Sequence, residues 1–166
     1  MISFIQKTLT ALKIFSLIFL LSNCSSTETN NEISELSDIE MYSEGLASLK
    51  KGNLDAATSE FDEVFLNYPF SSLASKSEIM SAYTLYQNNE INKAVTKLST
   101  YIEMNPQGEL SKYAHYLLAM CFYAQVSLEN RDPTASIKSL NYFKLIITKY
   151  PNTDYAKYAK LKIHFL

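Results

Sequence analysis

The chain has 166 residues and a formal net charge of −2, with acidic and basic residues mixed along its length. It therefore has no basic stripe of the kind that nucleic-acid binding requires. Three glycines and four prolines are too few for an all-β fold with many tight turns, or for a glycine-rich phosphate loop. Twelve tyrosines and nine phenylalanines supply bulky packing groups. These features predict an all-α protein.

The first 23 residues have the pattern of an export signal. Lys7 and Lys13 are the only charges near the start, and residues 14–21 form an apolar run with Ser16 as its single polar residue. A membrane-spanning helix needs about 20 apolar residues, so this run is too short to span. A basic start, a short apolar core and a small-residue boundary are typical of a secretory signal peptide.

The boundary sequence Leu-Ser-Asn-Cys, at 21–24, resembles a bacterial lipobox, whose cysteine is lipidated and becomes the first mature residue. Asn23 departs from that motif, in which Gly, Ala or Ser usually precedes the cysteine. The resemblance implies a lipoprotein signal peptide at 1–23 and an N-acyl, S-diacylglycerol anchor on Cys24, with no other cofactor. Such chains give stable membrane attachment. An ordinary signal peptide, or a buried helix with an incidental cysteine, is the alternative.

The residues that follow Cys24 are polar and rich in hydroxyl groups. Such a segment cannot bury enough apolar surface to order itself, so 24–33 is predicted to be a flexible tether. If the sorting rule of bacterial lipoproteins applies, Ser25 implies the periplasmic face of the outer membrane. With Cys24 lipidated, Cys121 has no partner for a disulfide, and its apolar surroundings predict a small core residue.

A repeat of 37 residues runs through the rest of the chain. Gly45, Ala82 and Ala119 lie 37 residues apart, and the second unit matches the first at six further offsets. The matched positions are Gly52, Leu54, Ala57, Phe61, Val64 and Pro69 in the first unit, and Asn89, Ile91, Ala94, Leu98, Tyr101 and Pro106 in the second. This pattern resembles the tetratricopeptide repeat. It predicts a solenoid of antiparallel helix pairs, with about three repeats and the first helix of a fourth.

Each repeated residue type has a physical role in such a helix pair. Small residues let the two helices approach closely, and Phe61, Leu98 and Phe143 are expected to fill the space between units. Gly52 and Asn89 suit the turn inside the pair because both tolerate a positive φ. Pro69, Pro106 and Pro151 are expected to end the second helix of each pair. An unrelated helical bundle is the alternative.

The repeat also sets the predicted boundaries. We expect a repeat domain over 34–166, with repeats at about 34–69, 70–106 and 107–151 and a partial one at 152–166. Helices are predicted near 34–50, 54–67, 72–88, 91–104, 109–126 and 133–149, with a last one from 153. The third unit contains eight extra residues around "VSLENRDP", where Pro133 could be the first residue of a helix and Asp132 its cap.

Specific segments resemble one family of repeat lipoproteins. They are "YSEGLASLKKGNLDAA", the "YPF" after the first repeat, the "YQNN" turn, and the inserted "RDP" followed by "FKLIITKYP". In this order they resemble the BamD family of the outer-membrane β-barrel assembly machinery, over about 34–166. The resemblance implies a non-enzymatic subunit that binds the barrel-forming subunit, other assembly lipoproteins and unfolded outer-membrane proteins. That family carries about five repeats, so we expect an incomplete chain or a partner that covers Leu166.

No arrangement of residues predicts catalysis or a metal site. His115 and His164 are far apart in sequence, and no metal-ligand spacing, nucleophile motif or phosphate loop occurs. Carboxylates such as Glu60, Asp62 and Glu63 are expected to be solvated on exposed helix positions. A generic envelope scaffold for cell-wall or division machinery is the alternative function.

The first helices of the repeats are expected to line a concave binding face. The predicted protein-binding residues are Tyr42, Leu46, Lys76, Ile79, Tyr83, Tyr86, Tyr113, Tyr116, Met120 and Tyr123. Tyrosine offers a large amphipathic contact area at low entropic cost, although half of these tyrosines could instead pack against the next repeat. The family resemblance implies that this half of the protein receives the aromatic-ended C-terminal signal of an unfolded outer-membrane protein.

Overall fold

A computed structural model describes residues 36–126 and 133–166. The described residues form seven helices: α1 (Asp38–Lys50), α2 (Leu54–Asn67), α3 (Ala74–Gln87), α4 (Ile91–Met104), α5 (Ser111–Ala124), α6 (Thr134–Lys149) and α7 (Asp154–Ile163). Each helix packs on the next one in the chain, and α5 also contacts both α3 and α7. The prediction of an all-α repeat solenoid is confirmed.

The predicted close approach between paired helices is present in the first repeat. Gly45 of α1 is buried, and a Cβ added there would lie 2.7 Å from Cε1 of Phe61 on α2. The corresponding small residues Ala82 and Ala119 are also buried. Phe61, Leu98 and Phe143 are each 0% exposed, as expected of side chains that fill the space between helices.

The turns and helix ends also follow the sequence. Gly52 and Asn89 have φ values of +78° and +60°, so both turns use the left-handed region that these two residues tolerate. Helices α2, α4 and α6 each end two residues before a proline. The residue between adopts φ near −130° because a following proline disfavours the helical conformation.

Several predicted helix starts differ from the structure by one to four residues, and the largest difference is at α1. Helix α1 was expected from 34 but begins at Asp38, because Ser37 caps it. The Ser37 hydroxyl accepts from the Glu40 backbone N–H at 3.3 Å, and the Ser37 N–H donates to Glu40 Oε2 at 2.9 Å, which forms a capping box. Helix α6 begins at Thr134 with Pro133 in the cap position. The predicted cap Asp132 lies outside the described residues, as do the signal peptide, the tether and Cys24.

Three clusters of buried side chains form the core. One joins α1 and α2 around Phe61, a second joins α3, α4 and α5 around Leu98 and Leu118, and a third joins α5, α6 and α7 around Phe143. Cys121 is fully buried in the second cluster, which agrees with its prediction as a small core residue. Burial raises the pKa of its thiol to about 12, so the folded protein holds it protonated and unreactive.

Candidate binding face

The ten predicted binding residues lie on α1, α3 and α5, the first helices of the three repeats. Two of them are buried: Tyr42 is 7% exposed and packs against Phe61, with ring centroids 5.4 Å apart, and Ile79 is 3% exposed. Leu46 and Lys76 are exposed, and the others are half-buried: Tyr83, Tyr86, Tyr113, Tyr116, Met120 and Tyr123. Tyr42 and Ile79 therefore belong to the core rather than to an open surface.

Four tyrosines of α5 and α7 come together on this side of the solenoid. Ring centroids lie 5.6 Å apart for Tyr113 and Tyr155, 5.5 Å for Tyr116 and Tyr155, and 6.3 Å for Tyr116 and Tyr158. These distances are in the range of favourable aromatic pairs. We call Tyr113, Tyr116, Tyr155 and Tyr158 the tyrosine cluster.

Two of the four residues of the tyrosine cluster were not predicted from the sequence. Tyr155 and Tyr158 lie on the single helix of the partial repeat, where no complete unit was available for alignment. A signal was nevertheless present, because Tyr158 follows Tyr113 by 45 residues, the same spacing that separates Pro106 from Pro151. Tyr158 thus occupies the repeat position of Tyr113, and it is 52% exposed.

Four tyrosines of this face have a pKa raised above the ordinary value. Burial is the main cause that raises the pKa of Tyr113, and the neighbouring Tyr83 and Tyr155 hydroxyls raise it further. Burial likewise raises the pKa of Tyr86, Tyr116 and Tyr155. Protonated phenols can donate hydrogen bonds to carbonyl or carboxylate oxygens, while their rings offer apolar contact.

Cations flank the aromatic rings at both ends of the face. The Lys162 ammonium lies 4.7 Å from the centroid of Tyr123, and that of Lys76 lies 5.2 Å from the centroid of Tyr42. Both distances are within reach of a cation–π interaction. The face therefore combines aromatic rings, hydroxyl donors and positive charge, a combination that suits an extended segment with aromatic side chains and a carboxylate.

A separate polar cleft of about 680 Å³ lies between α2, α3 and α4. It is lined by Asp55, Thr58, Ser59, Asp62, Glu78, Leu85, Glu90, Lys93, Thr96, Lys97 and Thr100. The Lys97 ammonium pairs with Asp62 Oδ1 at 2.6 Å across it, and the hydroxyls of Thr58 and Thr84 lie 2.8 Å apart. None of the ten predicted residues lines this cleft.

Two carboxylates that were expected to be solvated have partners on neighbouring helices. Asp62 is half-buried and paired with Lys97. Glu60 is half-buried as well, and its Oε1 accepts from the Ser48 hydroxyl at 3.1 Å. Only Glu63 of the three is exposed. Both partnered carboxylates thus hold neighbouring helices together.

The described residues contain no group of three or more His, Cys, Asp or Glu side chains that could hold a metal ion. Within the same residues, no helix is long and apolar enough to cross a membrane.

Comparisons with known proteins place the chain in a family. Residues 34–166 match the YfiO family of outer membrane lipoproteins. The outer membrane protein assembly factor BamD of Rickettsia prowazekii is 33% identical over 160 residues, which cover 96% of this chain. The protein of the same name from Caulobacter vibrioides is 34% identical over 123 residues, which cover 74% of this chain. The one from Vibrio cholerae is 23% identical over 170 residues, which cover 96% of this chain.

The chain spans 62% of the length of the Rickettsia protein, 40% of the Caulobacter protein and 68% of the Vibrio protein. The matched region includes every described helix and all residues of the candidate binding face. The family resemblance that was read from the sequence motifs is confirmed: the chain belongs to the YfiO family of outer membrane lipoproteins, together with the assembly factors named BamD.

Proposed function

We propose that the chain is a non-enzymatic subunit for the assembly of outer-membrane proteins and that it binds its substrates on the face that carries the tyrosine cluster. The names of the relatives supply the process, since each is an outer membrane protein assembly factor. The observation that carries the binding role is the tyrosine cluster, in which four rings with hydroxyl groups come together. The proposed ligand is the aromatic-ended C-terminal segment of an unfolded outer-membrane protein.

The chemistry of that ligand matches the face. An extended segment presents backbone carbonyls and amides, aromatic side chains and a terminal carboxylate. Tyr113 and Tyr116 offer hydroxyl donors beside ring surfaces, and Lys162 supplies a positive charge near Tyr123. Aromatic residues commonly dominate binding energy at protein interfaces. Binding of this kind needs no nucleophile or general base.

Peptide binding tests the proposed site. The probe is a fluorescently labelled peptide of alternating polar and apolar residues that ends in phenylalanine with a free carboxylate. Tyr158→Ala removes a half-exposed ring from the tyrosine cluster and is expected to weaken binding about tenfold, a loss of about 1.4 kcal/mol. The control is Ile137→Ala, which removes an exposed apolar side chain from α6. Equal affinity of both variants and the unmodified chain would refute the site.

Lipid attachment at Cys24 and the outer-membrane location complete the proposal. The test is the mass of the N-terminal fragment from chain purified out of bacterial envelopes. A mature fragment that begins at Cys24 and carries acyl chains is expected, and an unmodified cysteine would contradict the anchor. The same preparation, solubilised in detergent, is expected to retain the barrel-forming subunit and other assembly lipoproteins. Recovery of cell-wall or division proteins instead would favour the alternative scaffold function.

A further inference from the structure

Three apolar side chains are exposed together at the end of the domain where the described residues begin. Phe70, in the turn after α2, is fully exposed, and Ile39 at the start of α1 is 65% exposed. Leu36, which precedes the cap of α1, is 37% exposed. We call Leu36, Ile39 and Phe70 the N-terminal apolar patch. Exposed apolar clusters of this kind mark contacts with proteins or membranes.

Hydrogen bonds on both sides of Phe70 hold the patch together. The Tyr68 hydroxyl donates to the Leu36 carbonyl oxygen at 2.6 Å. The Ser71 hydroxyl donates to the Asp38 carboxylate, next to Ile39. The turn that carries Phe70 is therefore fixed against the start of α1, and the fold sets the position of the Phe70 backbone.

The second repeat shows that the fold does not require phenylalanine at this position. Gln107 follows Pro106 as Phe70 follows Pro69, 37 residues earlier. The two turns are closed by the same backbone bond, from Ser71 N–H to Tyr68 O at 2.9 Å and from Gly108 N–H to Asn105 O at 3.1 Å. A fully exposed ring buries no surface within the domain, so its whole apolar surface is available for a contact outside the domain.

The position of the patch along the chain identifies that contact. Leu36 follows Cys24 by twelve residues, which can span at most about 40 Å. A membrane to which Cys24 is attached is thus always near the patch. Phenylalanine, isoleucine and leucine are side chains that enter the boundary between headgroups and acyl chains. The flanking carboxylates of Asp38 and Glu40 favour an uncharged lipid surface over an anionic one.

We propose that the N-terminal apolar patch inserts into the membrane interface and so orients the first repeat toward the lipid. This inference rests on the Cys24 anchor proposed above. The anchor alone would confine the domain near the membrane without fixing which side faces it. Insertion of Phe70 and Ile39 adds a second point of contact and thereby restricts the rotation of the whole solenoid.

The chain offers a clean spectroscopic test because it contains no tryptophan. Phe70→Trp and Gln107→Trp each introduce a single fluorophore in the same kind of turn, one repeat apart. Each lipidated variant is reconstituted into vesicles of uncharged phosphatidylethanolamine and phosphatidylcholine, with and without bromine on the acyl chains. Flotation first establishes that the chain is attached to the vesicles.

For Phe70→Trp we expect the tryptophan to emit at shorter wavelength in vesicles than in detergent-free buffer. Brominated acyl chains are expected to reduce its fluorescence about twofold or more, as for a side chain at the acyl boundary. Gln107→Trp is expected to remain unquenched. An attached chain in which Phe70→Trp also remains unquenched overturns the insertion and leaves the anchor standing. A chain that does not float overturns the anchor and the insertion together.

Discussion

Gly45 and Phe61 touch so closely that there is no room for a methyl group between them: a Cβ on Gly45 would lie 2.7, 2.8 and 3.0 Å from three ring carbons of Phe61. Phe61 is 0% exposed, so its ring cannot move into solvent. This contact fixes the distance between α1 and α2 in the first repeat.

Gly45→Ala is therefore expected to destabilise the protein although alanine is the better helix former. Overpacking of a rigid core costs about 1–3 kcal/mol, and the gain in helix propensity offsets about 1 kcal/mol of it. A net loss of about 1 kcal/mol, and at most about 2 kcal/mol, should appear in urea unfolding followed by circular dichroism. Adding Phe61→Leu to Gly45→Ala should recover part of the loss. If Gly45→Ala alone is as stable as the unmodified chain, the contact is not as rigid as the distances indicate.

Asn89 holds the left-handed turn between α3 and α4, with φ of +60°. Replacement by alanine is expected to lower the free energy of unfolding by about 1 kcal/mol. The reason is that alanine is disfavoured at positive φ, whereas glycine and asparagine tolerate it. Asn89→Gly should be neutral within about 0.5 kcal/mol. Thermal unfolding of the two variants distinguishes them, and an equal effect of alanine and glycine would point to a role for the side chain instead.

Glu78 is buried on α3, beside the polar cleft, and is 8% exposed. Burial is the largest cause that raises its pKa above the ordinary 4.5, with the Lys97 charge opposing the rise and the Asp62 charge adding to it. The unfolded chain ionises this carboxyl near pH 4.5, whereas the folded chain resists ionisation until higher pH. The ionised carboxylate thus destabilises the fold as the pH rises through that window.

Glu78→Gln is therefore expected to raise the urea midpoint of unfolding at pH 7. Near pH 4 it should have little effect, because the Glu78 carboxyl is then mostly protonated in both the folded and the unfolded chain. Urea unfolding across this pH range measures the difference. Glu103→Gln, an exposed position on α4, is the control and should show no such dependence. A loss of stability in Glu78→Gln at pH 7 would mean that the ionised carboxylate makes a favourable contact with Lys97.

His115 is 4% exposed, and its Nδ1 lies 2.6 Å from the carbonyl oxygen of Ser111, to which it donates. Its ring also meets the Tyr150 ring edge-on, with centroids 5.7 Å apart. Burial lowers its pKa from the ordinary 6.5. The Ser111 hydrogen bond opposes this shift, and the Lys149 charge adds a smaller lowering. The unfolded chain takes up a proton near pH 6.5 and the folded chain only at lower pH.

Stability from His115 is thus complete above pH 6.5 and is lost as the pH falls through the folded pKa. At pH 7, His115→Gln is expected to be less stable than the unmodified protein, because the packing of the His115 ring is lost. Between pH 7 and pH 5, the stability of the variant is expected to fall less than that of the unmodified protein. His164→Gln changes the only other histidine of the chain, which is exposed, and should keep the pH dependence of the unmodified protein. Identical pH profiles for all three chains would show that His115 titrates alike in both states.

The fold was predictable because the signals are local and repeated. Each signal acts through the backbone or through one neighbouring helix. The signals are the prolines two residues after α2, α4 and α6, the positive φ at Gly52 and Asn89, and the small residues every 37 positions. The first residue of α1 was misplaced because the polar segment before it carries no periodicity, and only the Ser37 cap marks the start.

The binding face was harder to predict, because a position on a helix does not give the depth of a side chain. Tyr42 was expected on the surface, but the Phe61 ring at 5.4 Å covers it. Tyr155 was missed because its contacts with Tyr113 and Tyr116 depend on how α7 packs against α5. The polar cleft was not expected either, because it is lined by residues of α2, α3 and α4 that only the packing of the three helices brings together.

The Gly45–Phe61 contact also limits how the repeats can be exchanged. In the first repeat glycine faces phenylalanine, whereas in the second Ala82 shares a core cluster with the smaller Leu98. Between these two repeats, the smaller residue on one helix accompanies the larger residue on the other, so the two members of each pair have complementary volumes. Grafting the first helix of the second repeat into the first would place alanine against Phe61. For exchange between the first two repeats, the helix pair rather than the single helix is therefore the smallest interchangeable module.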